Sequence, residues 1–273
     1  NILSPYSRYA LNFDAASSDY VDAGSTSFLN NATQMSFSVW FNLDTAAQNK
    51  GVVDDQDKHF AIYTKTVSGN NYSLRINLNG SANRFQLTGT PLTEGKWHNL
   101  VMTFNAGTLN FYIDGNSASY TVYSGSIPSA LADNTGVLDI GRYSTLYWDG
   151  KISNPSIWNA ALTSAQVTEI YNEGKPSNLN NHSAYSNLVS WWQLGENSSF
   201  NSNWTVIDEK GTNNGTSVNM AEDDLVDGVG TTANGLSSGM GGADNINGDA
   251  PYSTSNALSY GMGADAKSTS VPT

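Results

Sequence analysis

The stretch GKWHNLVMTFNAGTLNFYIDG, residues 95–115, constrains the fold more than any other part of this 273-residue chain. From Trp97 to Phe104 the side chains alternate, so His98, Leu100, Met102 and Phe104 share one face and Trp97, Asn99, Val101 and Thr103 the other. Beyond Asn105-Ala106-Gly107, a second apolar face is formed by Leu109, Phe111 and Ile113, opposite Asn110, Tyr112 and Asp114. Three residues ending in glycine between two such runs predict an antiparallel hairpin with a type I turn and a left-handed glycine. Asp114-Gly115 marks the next turn. The inner faces of this hairpin are too apolar for chemistry, which leaves function to the loops and the tail.

Similar runs recur at 9–14, 35–43, 59–65, 72–78, 84–89, 137–143 and 150–158, separated by turn signals such as Ser68-Gly69-Asn70-Asn71 and Asn79-Gly80-Ser81. Many short strands with no helical period between them predict an all-β protein, a two-sheet antiparallel jelly-roll sandwich. One segment departs from this pattern. In ALTSAQVTEIYNEG (161–174), Leu162, Val167, Ile170 and Tyr171 fall on one helical stripe, Thr163 or Ser164 can cap its start, and Gly174 ends it. It reads as one short helix against the edge of the sandwich. After a polar linker (177–185), SNLVSWWQLGE (186–196) reads as another strand, followed by 204–216. Trp191 and Trp192 must point to opposite faces of that strand, which leaves one of them for the surface or an interface.

Charged residues make up only 13%, with 12 basic against 24 acidic and a net charge of −12. Such a chain repels phosphate backbones and anionic lipid, so neither nucleic acid nor membrane is expected as a partner. There is no cysteine, hence no disulfide and no thiolate metal site. No apolar run approaches the roughly 20 residues that span a bilayer.

Beyond about residue 217 the composition shifts to Gly, Ser, Ala, Asn and Asp, and seven acidic residues against Lys267 alone carry half of the net charge. Segments 217–228, 235–251 and 257–272 each place a methionine (Met220, Met240, Met262) a few residues before an aspartate, which reads as three degenerate copies of one motif. One reading is a disordered, solvating tail. The other is an extended C-terminal assembly arm in which Met220, Leu236, Met240, Leu258 and Met262 dock on a neighbouring subunit. The expected organisation is a sandwich over 1–217, with 186–217 as a late strand segment joining it or a neighbour, and an arm over 218–273.

The blocks 11–24, 37–44, 95–115 and 138–174 resemble the laminin-G-like, concanavalin-A-like family in order and spacing. The resemblance implies the same two-sheet jelly roll. Residues 188–216 with the methionine repeats are similar to laminin-G-like proteins of marine tailed bacteriophages, which implies a place on a virion. Asp14 and Asp19 flank a loop at the start of the sandwich and Asp149 sits at another turn, and hard oxygens of this kind suit a structural calcium. The family carries such an ion near these turns, but Ala15 stands where a glycine is usual and Asn154 where an acid is common. Solvated turn aspartates are the alternative.

Concanavalin-A-like glycosidases set two or three carboxylates alternating along one strand, and no strand here has them. His59, His98 and His182 stand far apart in sequence, and no nucleophile, zinc or phosphate-loop motif occurs. The chain is therefore read as no enzyme, requiring no cofactor. The best sugar-binding candidates are the three rings of Tyr143, Tyr147 and Trp148 in one loop, the alternative being that Trp148 caps the sandwich edge and the tyrosines are ordinary loop residues; Trp40, Trp97 and Trp158 lie in strand patterns and read as structural. The expected function is a structural protein of the virion surface, exposing its body for glycan adhesion and binding copies of itself or other virion proteins through the arm. The alternative is a secreted or cell-surface carbohydrate-binding module with a flexible tail, and a glycan-degrading enzyme comes third.

Overall fold

The computed structural model describes residues 7–45, 49–56, 59–68, 71–89 and 92–229. The first strands are β1 (Tyr9–Phe13), β2 (Tyr20–Ser25), β3 (Gln34–Leu43), β4 (Gly51–Asp54), β5 (Phe60–Ser68), β6 (Asn71–Leu78), β7 (Asn83–Thr88), β8 (Trp97–Asn105), β9 (Thr108–Ile113) and β10 (Asn116–Ser124). They are followed by β11 (Val137–Ile140), β12 (Arg142–Tyr143), β13 (Leu146–Tyr147), β14 (Gly150–Trp158) and the helix α1 (Ser164–Tyr171). The chain then returns through β15 (Leu188–Trp191), β16 (Ser199–Asn201), β17 (Asn203–Val206), β18 (Gly215–Val218) and β19 (Leu225–Asp227).

These strands form the antiparallel two-sheet sandwich that the alternating runs predict. The first sheet runs β19–β1–β14–β3–β8–β9, with β15 on the far half of the β14 edge that β1 begins. The second runs β16–β17–β18–β2–β11–β4–β5–β6–β7–β10. Strand β10 belongs to both, pairing with β9 through Asn116–Ala118 and with β7 from Ser119 onward. The main core lies between the sheets, where Phe37, Phe41, Met102 and Phe111 meet Phe60, Ile76, Phe85 and Ile140.

The β8–β9 hairpin is tighter than the glycine spacing suggests. Asn105 pairs with Thr108, so the loop has two residues, Ala106 (φ 30°) and Gly107 (φ 86°), both left-handed. Two positive φ values match the primed turn whose twist suits the strands. The loop is pinned from outside, since Ala106 N–H donates to Thr33 O and Gly107 N–H to Pro128 O. Those bonds hold an alanine where glycine or asparagine is usual.

Helix α1 starts as the sequence predicts, with Thr163 and Gln166 closing a capping box, but it ends at Asn172 (φ 44°) before Gly174. It lies on the outer face of the first sheet rather than at the sandwich edge. Val167 and Ile170 pack with Val101, Trp158, Leu188 and Trp191 in a second core, and Tyr171 stacks on Trp40 at 5.7 Å. The small hydroxyls Ser36 and Ser38 fit beneath this layer. Ser36 Oγ donates to Ala160 O and accepts from Leu162 N–H.

The second core corrects the reading of Trp191-Trp192. The two indoles do point to opposite faces, but both faces are covered and both side chains are buried. Trp191 joins the helix-side core and donates Nε1–H to Asn154 Oδ1, while Trp192 enters the main core and donates to Asn213 O. Asn154 sits at φ 53° within a register shift of β14, so its amide anchors Trp191.

The late segment pairs within this same chain, β15 on β14 and β18 on β2. The chain also stays ordered past residue 217. Strand β19 pairs with β1, Trp204 Nε1–H donates to Ala221 O, and Met220 is buried in the main core. Met220 is thus a core residue and not part of a free arm, since the apolar side chain finds a closed site within one turn of β18. Leu236, Met240, Leu258 and Met262 lie outside the described residues. We expect Met220→Ala to lower stability by about 2–4 kcal/mol, read by chemical denaturation, as for other buried methionine truncations. An unchanged midpoint would return Met220 to the arm.

Candidate functional site

Because α1 and the 179–187 segment cover the first sheet, the outer face of the second sheet, apart from the β12–β13 hairpin, is where side chains gather without a layer of secondary structure above them. Two rows cross it, read from strand register. One runs Asp22 (β2), Asp139 (β11), Asp54 (β4), Ala61 (β5), Asn77 (β6), Arg84 (β7). The other runs Gly51 (β4), Tyr63 (β5), Arg75 (β6), Gln86 (β7), Thr121 (β10). Strands β6 and β7 alternate, with Leu74, Ile76, Leu78, Phe85 and Leu87 in the core and the polar residues between them outward, while a bulge in β4 turns both Val52 and Val53 inward.

The β12–β13 hairpin folds down over β4 at one side of this face. Gly51 makes that possible. A Cβ at Gly51 would stand 2.0 Å from Tyr143 N and 2.7 Å from Leu146 O, so a side chain there would lift the hairpin. Two carboxylates of the first row fasten it. Asp54 Oδ2 accepts from Ser144 N–H at 2.8 Å, at the left-handed tip, and Asp139 Oδ2 pairs with Arg142 at 2.5 Å. Burial pushes the Asp139 carboxyl up, against the pull of Arg142, while Asp22 and Asp55 add to the rise. Like charges placed directly opposite on neighbouring strands repel. The Arg142 guanidinium offsets that repulsion, lying also over the Tyr20 ring at 4.0 Å.

The fastened hairpin carries the predicted tyrosines. Tyr143 is half-buried and stacks face to face on Tyr63, with ring centroids 4.2 Å apart and planes 1° from parallel. Asn77 Nδ2 donates to Tyr143 Oη at 3.1 Å. Tyr147, also half-buried, faces Tyr20 at 6.4 Å. Trp148 is not part of this surface. The strand period that turns Tyr147 outward turns Trp148 inward, where it is fully buried, meets Phe41 edge-on and donates Nε1–H to Asn42 O. Sequence reading missed Tyr63, Arg75, Asn77 and Gln86, although the alternation in YSLRINL and RFQLTG places their polar positions on one face.

The three calcium candidates do not assemble. Asp14 N–H donates to Asp19 Oδ2 at 2.9 Å, whereas Asp149 pairs with the Lys50 ammonium at 3.6 Å. Among the described residues no three His, Cys, Asp or Glu side chains stand close enough to share a metal ion. Asp14, Asp19 and Asp149 therefore do not form the single calcium site expected of them. Asp19 is buried, its Oδ1 has no hydrogen-bond partner among the described residues, and burial with help from Asp224 and Asp14 pushes its carboxyl up to about 6. The histidines are structural as well. His98 and His59 are held by Asp114 and Asp55, and His182 bonds Gln166 O with one ring nitrogen and accepts Ala184 N–H with the other.

The fold and this face define a class, an antiparallel jelly-roll sandwich with one helix-covered sheet and one sheet presenting polar and aromatic side chains. The chain belongs to the concanavalin A-like lectin/glucanases superfamily, whose Laminin_G_3 model matches residues 15–168. No curated protein sequence matches it. Among solved structures it is similar to a proposed carbohydrate-binding protein from Bacteroides ovatus, at TM-score 0.60 and 16% identity over 78% of this chain. The chain spans 58% of that protein's length. It is also similar to the SAP-like pentraxin of Limulus polyphemus, at TM-score 0.50 and 15% identity over 74% of this chain and 93% of the pentraxin. At these identities the likeness shows the fold.

A carboxyl raised in the folded state stabilises fully below its unfolded value and loses that contribution as pH rises through the folded value. For Asp19 the window runs from 3.8 to about 6. Wild-type thermal stability should therefore drop more steeply than that of Asp19→Asn between pH 4 and pH 7. Parallel curves for the two proteins would show that Asp19 is not protonated in the fold.

Proposed function

We propose that this chain is a non-catalytic carbohydrate-binding module working outside the cell or on a surface. The observation that carries the reading is the pair of half-buried rings that the β12–β13 hairpin holds on the second sheet, Tyr143, stacked on the buried Tyr63 and bonded by the buried Asn77, and Tyr147, which faces Tyr20. Sugar rings are recognised by apolar stacking on aromatic faces combined with a few fixed polar groups that orient the hydroxyls. Superfamily membership and the likeness to the Bacteroides ovatus protein support the same reading. Against catalysis, Asp54 and Asp139 are engaged with Ser144 N–H and Arg142, so neither is poised as the free acid or base that glycoside hydrolysis requires.

The second reading, a virion surface protein that binds its own copies through a C-terminal arm, rests on the spacing of Met240 and Met262 with Leu236 and Leu258. Its test compares the solution mass of the full chain with that of a chain ending at Val229, which retains Met220 and β19. Oligomers of the full chain alone support the arm, and monomers of both exclude self-assembly through it.

Glycan-array screening of the full chain followed by calorimetric titration tests the binding reading. Tyr143→Ala and Tyr147→Ala should each weaken the best glycan by roughly tenfold, the scale of one lost aromatic contact. Binding left intact in both variants would move the site off this face, and a blank array would end the carbohydrate reading.

A further inference from the structure

The chain holds four arginines among 24 acidic residues, and two of them, Arg75 and Arg84, share the outer face of the second sheet. Neither takes part in any ion pair among the described residues, and neither does Lys65, which lies on the same face two positions from Tyr63. Arg75 is only 8% exposed. Its Nε–H donates to Gln86 Oε1 at 2.9 Å, and the Tyr123 ring lies 3.9 Å from its guanidinium carbon. Arg84 buries its Nε with no hydrogen-bond partner among the described residues. Tyr123 itself is 60% exposed, an unusual exposure for so large a ring beside a buried cation.

A buried guanidinium with no carboxylate partner among the described residues carries a desolvation cost that Gln86 and the Tyr123 ring offset only in part, and an arriving anion would offset more of it. Here the arginine is also pre-oriented, gripped by Gln86 on one edge and by Tyr123 on one face, so its remaining donors are held in place. A planar fork of this kind suits a two-oxygen anion better than an ammonium does. The acidic row does not quench the site. Asp54, the nearest carboxylate of that row, is two strands from Arg75 and three from Arg84, about 10 and 14 Å at ordinary strand spacing, and its Oδ2 is already engaged by Ser144 N–H. Tyr63, under the Tyr143 ring, is the cross-strand partner of Arg75. The aromatic stack and the guanidinium thus stand within the reach of one monosaccharide.

We propose that the glycan bound at this face is acidic, a saccharide whose carboxylate or sulfate is held by Arg75 and Arg84 while its ring meets the Tyr143 side. The proposal rests on the carbohydrate-binding reading and adds the charge of the ligand. Its test uses the full chain on an array of matched pairs, oligogalacturonides with their methyl esters and sulfated galactan oligosaccharides with their desulfated forms. The preferred pair is then titrated into wild type, Arg75→Gln and Arg84→Gln. Acidic members should bind in preference to their neutral counterparts and lose affinity as sodium chloride is raised. Each glutamine variant should weaken them by roughly tenfold to a hundredfold, as for a lost charge-assisted hydrogen bond. If Arg75→Gln unfolds, the half-buried Arg84→Gln carries the test alone. Equal binding of acidic and neutral members, or glutamine variants as tight as wild type, would overturn the proposal; with Tyr143→Ala still weakening the neutral sugar, the carbohydrate reading would stand without it. No binding to any member overturns both.

Discussion

The constraint on which this architecture turns is the burial of both faces of the first sheet. Strand β3 sends Met35, Phe37, Val39, Phe41 and Leu43 into the main core and Trp40 into the layer beneath α1. Strand β14 does the same with Ile157 and Trp158. A sheet closed on two sides leaves no open face of its own, whereas β5, β6 and β7 of the second sheet alternate apolar-in and polar-out. Covering the first sheet takes an element that is not a strand, and ALTSAQVTEIY supplies it with one capping box and an apolar stripe. The helix therefore decides that the outer face of the first sheet is closed.

On the open sheet, small buried polar contacts do the positioning. Gly51 provides a flat floor, Asp54 holds the tip of the β12–β13 hairpin through Ser144 N–H, and Asp139 holds its base through Arg142. Removing one partner of such a buried pair leaves the other uncompensated, which costs more than the pair contributes. The row Asp22–Asp139–Asp54 is thus stable only as a unit with Arg142, and that unit is what keeps Tyr143 flat on Tyr63. A preformed aromatic platform matters for sugars because little binding energy is available to order a loop on contact.

The fold was largely legible because its signals are local. Period-two alternation, glycine turns and the Thr163 cap each lie within a few residues, and they predicted the sandwich and the helix. What escaped depends on register between distant strands. Asp22, Asp54 and Asp139 come from three separate runs, and no spacing along the chain shows that they stand side by side. Gly51 looks like any strand-end glycine until the hairpin above it is placed. Trp148 was misassigned for a different reason, since the alternation that exposes Tyr147 already turns it inward. Met220 misled because its resemblance to Met240 and Met262 is a matter of spacing, while its burial depends on Trp204 and the β1–β19 pairing.

Membership in a superfamily that contains both lectins and glucanases leaves function to be argued from side chains. A hydrolase of this fold needs two carboxylates free to face the sugar, one to give a proton and one to attack or activate water. Here Asp54 and Asp139 hold the protein's own backbone and guanidinium, and among the described residues Arg75 and Arg84 make no ion pair. Cations held beside aromatic rings contribute orientation and charge recognition but no proton transfer at neutral pH, because a guanidinium stays protonated throughout. Asp54 and Asp139 accept from Ser144 N–H and Arg142 while, among the described residues, Arg75 and Arg84 make no ion pair, a distribution that suits the proposed binding surface better than a glycosidase cleft.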